Sequence, residues 1–348
     1  MMKAFAKGIV RMRVPIIILS FLLLLPSAFG ILSTRINYDI LAYLPSDLET
    51  MQGQDILLEE FGNGAYSIFV CKGMQQKEVT ALREKVEQVD HVDKVLWYDS
   101  VMDLATPKEI LPKEIYDVFY SNGGEGTLMF IFFDTTTSAD ETLQAVDDIR
   151  ALANKDCFLA GMSSLVQDTK LLILREMPMY IVIAGILTAI VLSLTQDSFL
   201  IPLFMRLNIG MAILYNLGSN VVRGEISFLT LALVAILQLG VTMDYSIFLY
   251  ESFKEQKEKE ADKKKAMVNA IEATIVSITG SSLTTIAGFI ALCFMSFTLG
   301  LDLGIVMAKG VVFGVITCVT ILPSFLLVFD GAIEKTSHNP LKLPTETL

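Results

Sequence analysis

The sequence predicts an α-helical polytopic membrane protein with six transmembrane helices and one α+β domain inserted between the first and the second. Three observations carry this. Of 348 residues, 53% are hydrophobic and 19% charged, with a mean hydropathy of +0.56, more apolar than a soluble domain of this size needs. The apolar residues gather into runs at 14–32, 178–195, 199–219, 226–250, 272–297 and 303–329, each long enough to cross a hydrocarbon core of about 30 Å. Between the first two runs, residues 33–177 have the composition of a soluble domain.

The first run follows Lys3, Lys7, Arg11 and Arg13 within residues 1–13, a basic flank that predicts a cytoplasmic N-terminus. The same flank and run, with PSAFG as a cleavage sequence, also resemble a signal peptide; the length of 14–32 favours a retained helix. Six crossings then place 33–177 outside a cell membrane and return the C-terminus to the cytoplasm. The charged loop expected over 251–271 contains KEQKEKEADKKK with six lysines and falls inside, while the connections near Arg223–Glu225 and Thr298–Asp302 fall outside. Residues 33–177 carry 25 acidic against 12 basic side chains, a balance of −13 within a net charge of −11. That acidic surface repels phosphate backbones, which excludes nucleic acid as a partner.

The inserted domain reads as two similar halves. AYSIFVCKG (65–73) is rich in β-formers, MQQKEVTALREKVEQV (74–89) places Val79, Leu82, Val86 and Val89 on one helical face, and DKVLWYD (93–99) is a second strand. TLMFIFFDT, SADETLQAVDDIRALAN and CFLAG repeat the pattern over 127–161, with Ser138 and Glu141 spaced as a capping box. Two βαβ halves predict a ferredoxin-like sheet with both helices on one face. The insert 100–126 reads as loop and short helix. In that strand order Cys71 approaches Cys157, either as a disulfide or as two buried free thiols. Cys293 and Cys318 fall in spans as small apolar filler. With two histidines and no CxxC spacing, no metal is expected.

Within the membrane part, Pro178 is expected at the start of the second span, where a missing N–H costs little. Gln196–Ser198 makes a short turn between antiparallel neighbours, and Pro323 closes or kinks the last span. Gly280, Gly288, Gly304, Gly310 and Gly314 offer small surfaces for close helix packing. The polar segment 330–348 reads as a cytoplasmic tail or linker.

Asp244 is the residue that most needs an explanation. A carboxylate inside a span costs at least about 2.5 kcal/mol and normally faces a partner, water or a polar interior. It precedes Glu251 by seven residues, roughly 10 Å of helix, so reaching the headgroups is the bland alternative. Tyr245 adds a hydroxyl able to donate to the acid or pass a proton. Ser281 and Thr285, one turn apart in SITGSSLTTIAG, are candidate relay partners, although such hydroxyls also bond back to their own helix. Lys309 is expected to snorkel or to pair with Asp302. No GxSxG, HExxH or GxxxxGK[ST] motif is present, so no enzyme activity and no cofactor is expected, and any transport energy would come from an ion gradient or a partner.

One span, a large βαβ-repeat domain and five further spans resemble one half of a resistance–nodulation–division (RND) transporter. Within that superfamily, QLGVTMDYSIFLYESFKEQ, GSSLTTIAGFIAL and VTILPSFLLVF are similar to the fourth, fifth and sixth helices of the MMPL (mycobacterial membrane protein large) family. Multidrug pumps of the superfamily carry paired aspartates where this chain has Asp-Tyr. The resemblance implies a proton-driven exporter of lipids or other hydrophobic molecules, with the external domain as porter, Asp244 as the protonated carboxylate and Tyr245 as its hydrogen-bonding partner. It also implies a partner. Family members bring two Asp-Tyr pairs together across twelve spans, whereas this sequence has six spans and one pair. The second half would come from another chain, from a missing C-terminal half or from a second copy. The competing reading is a membrane receptor or assembly factor whose external domain binds protein or lipid.

Overall fold

The computed structural model describes residues 2–60, 65–100, 113–121 and 125–338. The chain divides into two compact units, Tyr38–Arg175 and the combination of Met1–Asn37 with Glu176–Leu348. Most of the insert 100–126 and of the tail lies outside the described residues.

The smaller unit is a sheet with helices packed on it. After α3 (Glu49–Glu59) come β2 (Ala65–Lys72), α4 (Gln76–Glu87), β3 (Val92–Leu96), α5 (Lys113–Phe119), β4 (Gly126–Phe133), α6 (Asp140–Leu152) and β5 (Cys157–Ala160). The sheet order is β3-β4-β2-β5, antiparallel at every pairing. The first and last strands of the two halves are therefore neighbours. Alternate residues of β2 and β4 face inward, as a period of two demands. They meet Val79, Leu82 and Val86 of α4 and Ala145, Val146 and Ile149 of α6 in one core around Trp97, with Val89 packed at its edge. The Trp97 indole donates to the Thr127 hydroxyl at 2.8 Å, and that hydroxyl donates to the Phe119 carbonyl at 2.9 Å, so the buried polar atoms are satisfied.

One local expectation fails here, and one open pair of alternatives is resolved. The Ser138–Glu141 box does not form, because α6 begins at Asp140 with Ala139 as its N-cap. A box-type contact closes α4 instead, where the Glu78 carboxylate accepts from the Gln75 N–H at 2.9 Å. Cys71 and Cys157 stand directly opposite in register, but both are free thiols with sulfur atoms 3.6 Å apart.

The larger unit contains α1 (Met2–Arg11), α2 (Arg13–Ser33), β1 (Arg35–Asn37), α8 (Leu200–Gly218), β6 (Glu225–Ser227), α9 (Phe228–Lys259), α10 (Lys263–Leu292), α11 (Leu299–Val328) and α12 (Asp330–Lys335). It also takes most of the membrane part of α7 (Met162–Thr195). Among the described residues, six helices are long and apolar enough to cross a membrane: α2, α7, α8, α9, α10 and α11. Two of them are central. In their most apolar stretches, α8 is 56% and α11 61% buried, against 6% in α7 and 11% in both α2 and α10.

The differences from the expected boundaries have simple causes. Pro178 lies inside α7 instead of opening it, because the helix starts within the preceding polar segment. The loop expected over 251–271 is helical except at 260–262. Its lysines and glutamates are good helix formers, Glu255 and Lys259 pair at 3.3 Å across one turn, and the Asp262 carboxylate caps α10 by accepting from the Lys264 N–H. Pro323 neither closes nor ends α11, which continues to Val328.

Candidate functional site

Asp244 lies near the middle of α9, a helix of 32 residues. The buried face of this helix carries Thr230, Val234, Gln238, Thr242, Tyr245, Ser246 and Leu249. Asp244 falls about 120° away from Gln238 at 3.6 residues per turn. It is exposed on a stripe with Leu237, Gly240, Phe248 and Glu251. Tyr245 is 5% exposed and packs among the buried residues of the bundle. The two neighbours in sequence thus face in different directions, and among the described residues no hydrogen bond joins them.

The hydroxyls of α10 are occupied by their own helix. Ser281 donates to the Ile278 carbonyl at 3.1 Å, while Thr284 and Thr285 donate to the Ser281 carbonyl at 2.7 and 3.1 Å. Ser282 donates to Thr279 at 3.0 Å. Ser281 is exposed and Thr285 half-buried, and neither bonds to Asp244. The exposed side of α10 carries a stripe of small residues, Ser277, Gly280, Ser281, Thr284, Ala287, Gly288 and Ala291, beside the large apolar Val276, Leu283 and Ile290. Gly280 and Gly288 have nothing within 4 Å of an added Cβ, so the packing role expected for all five glycines belongs to Gly304, Gly310 and Gly314.

Lys309 does not pair with Asp302. Its ammonium donates to the Asn220 side-chain oxygen at 2.6 Å. Asp302 instead pairs with Arg223 at 2.8 Å and accepts from the Ser227 N–H at 2.9 Å, two donors that satisfy a carboxylate only 5% exposed.

A second polar cluster lies between α8, α9 and α11. The Asn216 amide donates to the Gln238 side-chain oxygen at 3.1 Å and to the Val306 carbonyl at 3.0 Å. The Gln238 amide donates to the Gly310 carbonyl at 3.0 Å. A Cβ on Gly310 would stand 2.6 Å from the Asn216 amide nitrogen, so only glycine lets the three helices come this close. Reasoning from the sequence passed over this cluster. The signal was present: Gln238 and Asn216 each interrupt an apolar run, and a polar amide in a span needs a partner.

At one end of the bundle, charge ties the helices together. Asp197 accepts from the Tyr250 hydroxyl and pairs with Lys254 at 3.1 Å. Lys257 and Lys263 both pair with Asp330 and Glu334. Burial alone would raise the Asp197 carboxyl, but the Tyr250 hydroxyl and the Lys254 ammonium outweigh it and hold the group below the usual carboxylate range.

Six apolar helices with a carboxylate held in the middle of the fourth now meet an independent finding: the sequence profile of the MMPL family matches residues 42–339. The chain belongs to the MMPL family. It is a multi-pass membrane protein. Relatives include the apo-petrobactin exporter of Bacillus anthracis, 23% identical over 82% of this chain and 41% of that protein. A membrane protein of Methanocaldococcus jannaschii, MJ1562, is 20% identical over 92% of each. The hopanoid transporter HpnN of Rhodopseudomonas palustris is 27% identical over 44% of this chain and 18% of that protein. This MMPL-family chain thus spans less than half the length of the exporter that it matches.

Proposed function

We propose that this chain is one half of a proton-driven exporter of lipids or other amphiphilic molecules, with Asp244 as the titrating carboxylate. The observation that carries this is the position of Asp244: near the middle of α9, within the apolar run 226–250, and on a face of that helix that is exposed among the described residues. A carboxylate exposed at that depth demands a polar or protonatable counterpart. The small-residue face of α10 is likewise open, a surface suited to close approach by further helices. A second six-helix half set against these faces, from another polypeptide, a longer chain or a second copy, would cover Asp244 and bring it a matching acid. Protonation would then remove the charge and shift the balance between two packings of the helices.

The names of two relatives, an exporter and a hopanoid transporter, support export of a hydrophobic cargo. The strand order β3-β4-β2-β5 with antiparallel pairing supports reading the smaller unit as a ferredoxin-like porter domain. The basic residues ahead of α2 support its placement outside the membrane, with both termini in the cytoplasm. Tyr245, Ser281 and Thr285 enter this reading as residues that would change partners when the second half is in place.

The test is Asp244→Asn, assayed with the partner half present. Proton-dependent export should fall to background while insertion and elution from a sizing column match the parent protein. Full export by this variant, or export unaffected by collapsing the proton gradient, would overturn the proposal.

A further inference from the structure

α1 presents three chemically different faces. Ala6, Ile9 and Val10 are buried in the cluster that contains Ala266, Met267 and Ala270 of α10. Met2 and Phe5 stay 47% exposed, and Met12, Val14 and Ile18 continue the exposed apolar surface onto α2 at 55%, 49% and 63%. Lys3, Lys7 and Arg11 recur every fourth residue and make a basic row.

That row borders a cavity of about 620 Å³ between α1, Arg13 and the start of α10. Six cations line it: Lys3, Lys7, Arg11, Arg13, Lys264 and Lys265, against one lining carboxylate, Glu260. A second acid, Glu272, reaches Lys3 at 4.0 Å. Among the described residues no ion pair engages Lys7, Arg11, Lys264 or Lys265. By contrast Lys254, Lys257, Lys259 and Lys263 are all paired with acids. Lys335 and Arg206 are also without an acid partner among the described residues, but several such cations gather together around this cavity.

Concentrated cations repel one another unless an anion joins them. Met12, Val14 and Ile18 run onto α2, a helix long and apolar enough to cross a membrane, and a cavity at the start of such a helix lies where headgroups would be. A short helix with a basic row and exposed Met and Phe side chains has the composition of an interfacial helix, and basic pockets at the root of membrane helices select anionic headgroups.

We propose that the cavity between α1 and α10 binds the phosphate headgroup of an anionic membrane phospholipid, with Met2, Phe5 and Met12 set among its acyl chains. This site is separate from Asp244 and holds whether or not the chain exports lipid. Lys7, Arg11, Lys264 and Lys265 supply the charge, Val10 and Val268 the apolar wall. The long lysine stems can lie along that wall while their ammonium groups reach the phosphate.

The experiment is native mass spectrometry of the full chain in mild detergent, offered phosphatidylglycerol and phosphatidylcholine of the same acyl composition at equal mole fraction. The parent protein should retain phosphatidylglycerol about tenfold over phosphatidylcholine, as several lysines near one anionic headgroup imply. The variant Lys7→Gln, Arg11→Gln, Lys264→Gln, Lys265→Gln should lose that preference while eluting as a single species. If it does not fold, the single exposed change Lys264→Glu should lower the ratio severalfold. Equal retention of the two lipids, or an unchanged ratio in the folded variants, would overturn the proposal. Displacement of the lipid by millimolar inorganic phosphate would also overturn it, since the site would then accept a free anion without need of a membrane lipid.

Discussion

Asp244 stands out in the sequence because a carboxylate inside an apolar run violates the composition around it, and the structure places it exposed on α9. Its relation to Tyr245 was not legible, since adjacent helical residues point about 100° apart and only packing decides which one is buried. Ser281 and Thr285 show the same limit: their spacing placed them on one face, but their hydroxyls settle on carbonyls one turn back. At this scale the two cysteines of the smaller unit give a direct prediction. Burial first, and then the neighbouring Cys157, push the Cys71 thiol up to about 12, so it stays protonated and inert at neutral pH. Denatured protein, never exposed to reductant, should alkylate completely at Cys71 and Cys157, and native protein only slowly. A species two mass units lighter that resists labelling would show a disulfide instead.

Among the elements, α4 and α6 were readable from apolar spacing alone, because a helix lying on a sheet buries a single stripe. The helical ends of α9 and α10 were missed, since lysine and glutamate runs suit exposed helix and loop equally well by composition. Which glycines pack closely could not be read either, for that depends on what lies opposite. Gly310→Ala forces a Cβ against Asn216 and Gln238 and should cost about 1–3 kcal/mol, seen as a lower melting temperature in detergent. Gly280→Ala meets nothing among the described residues and should change stability by less than about 0.5 kcal/mol. Equal effects would contradict the packing described. The Asp197 contact with Tyr250 and Lys254 makes a further prediction. Its folded-state pKa is lowered, so the unfolded chain takes up the proton first as pH falls. The contribution is complete above about pH 4 and is lost as pH drops through the folded value. Melting curves from pH 7 to 3 should show Asp197→Asn less stable at the upper end and converging with the parent at the lower end.

For the whole molecule, the number of apolar helices and the βαβ repeats were visible because each follows from periodicity and length. Which helices occupy the centre was not, since hydropathy is the same for a residue facing lipid and one facing a neighbouring helix. α7 and α11 are both strongly apolar, yet one is almost bare and the other mostly enclosed. The distinction lies in the amides and glycines of α8, α9 and α11. Those amides have a mechanical consequence. Sliding α9 against α11 would break the Gln238–Gly310 bond and separate the two acceptors that Asn216 holds, one on each helix. The Gln238–Gly310 bond thus joins α9 to α11, and Asn216 of α8 bonds to both, so these three helices share one register.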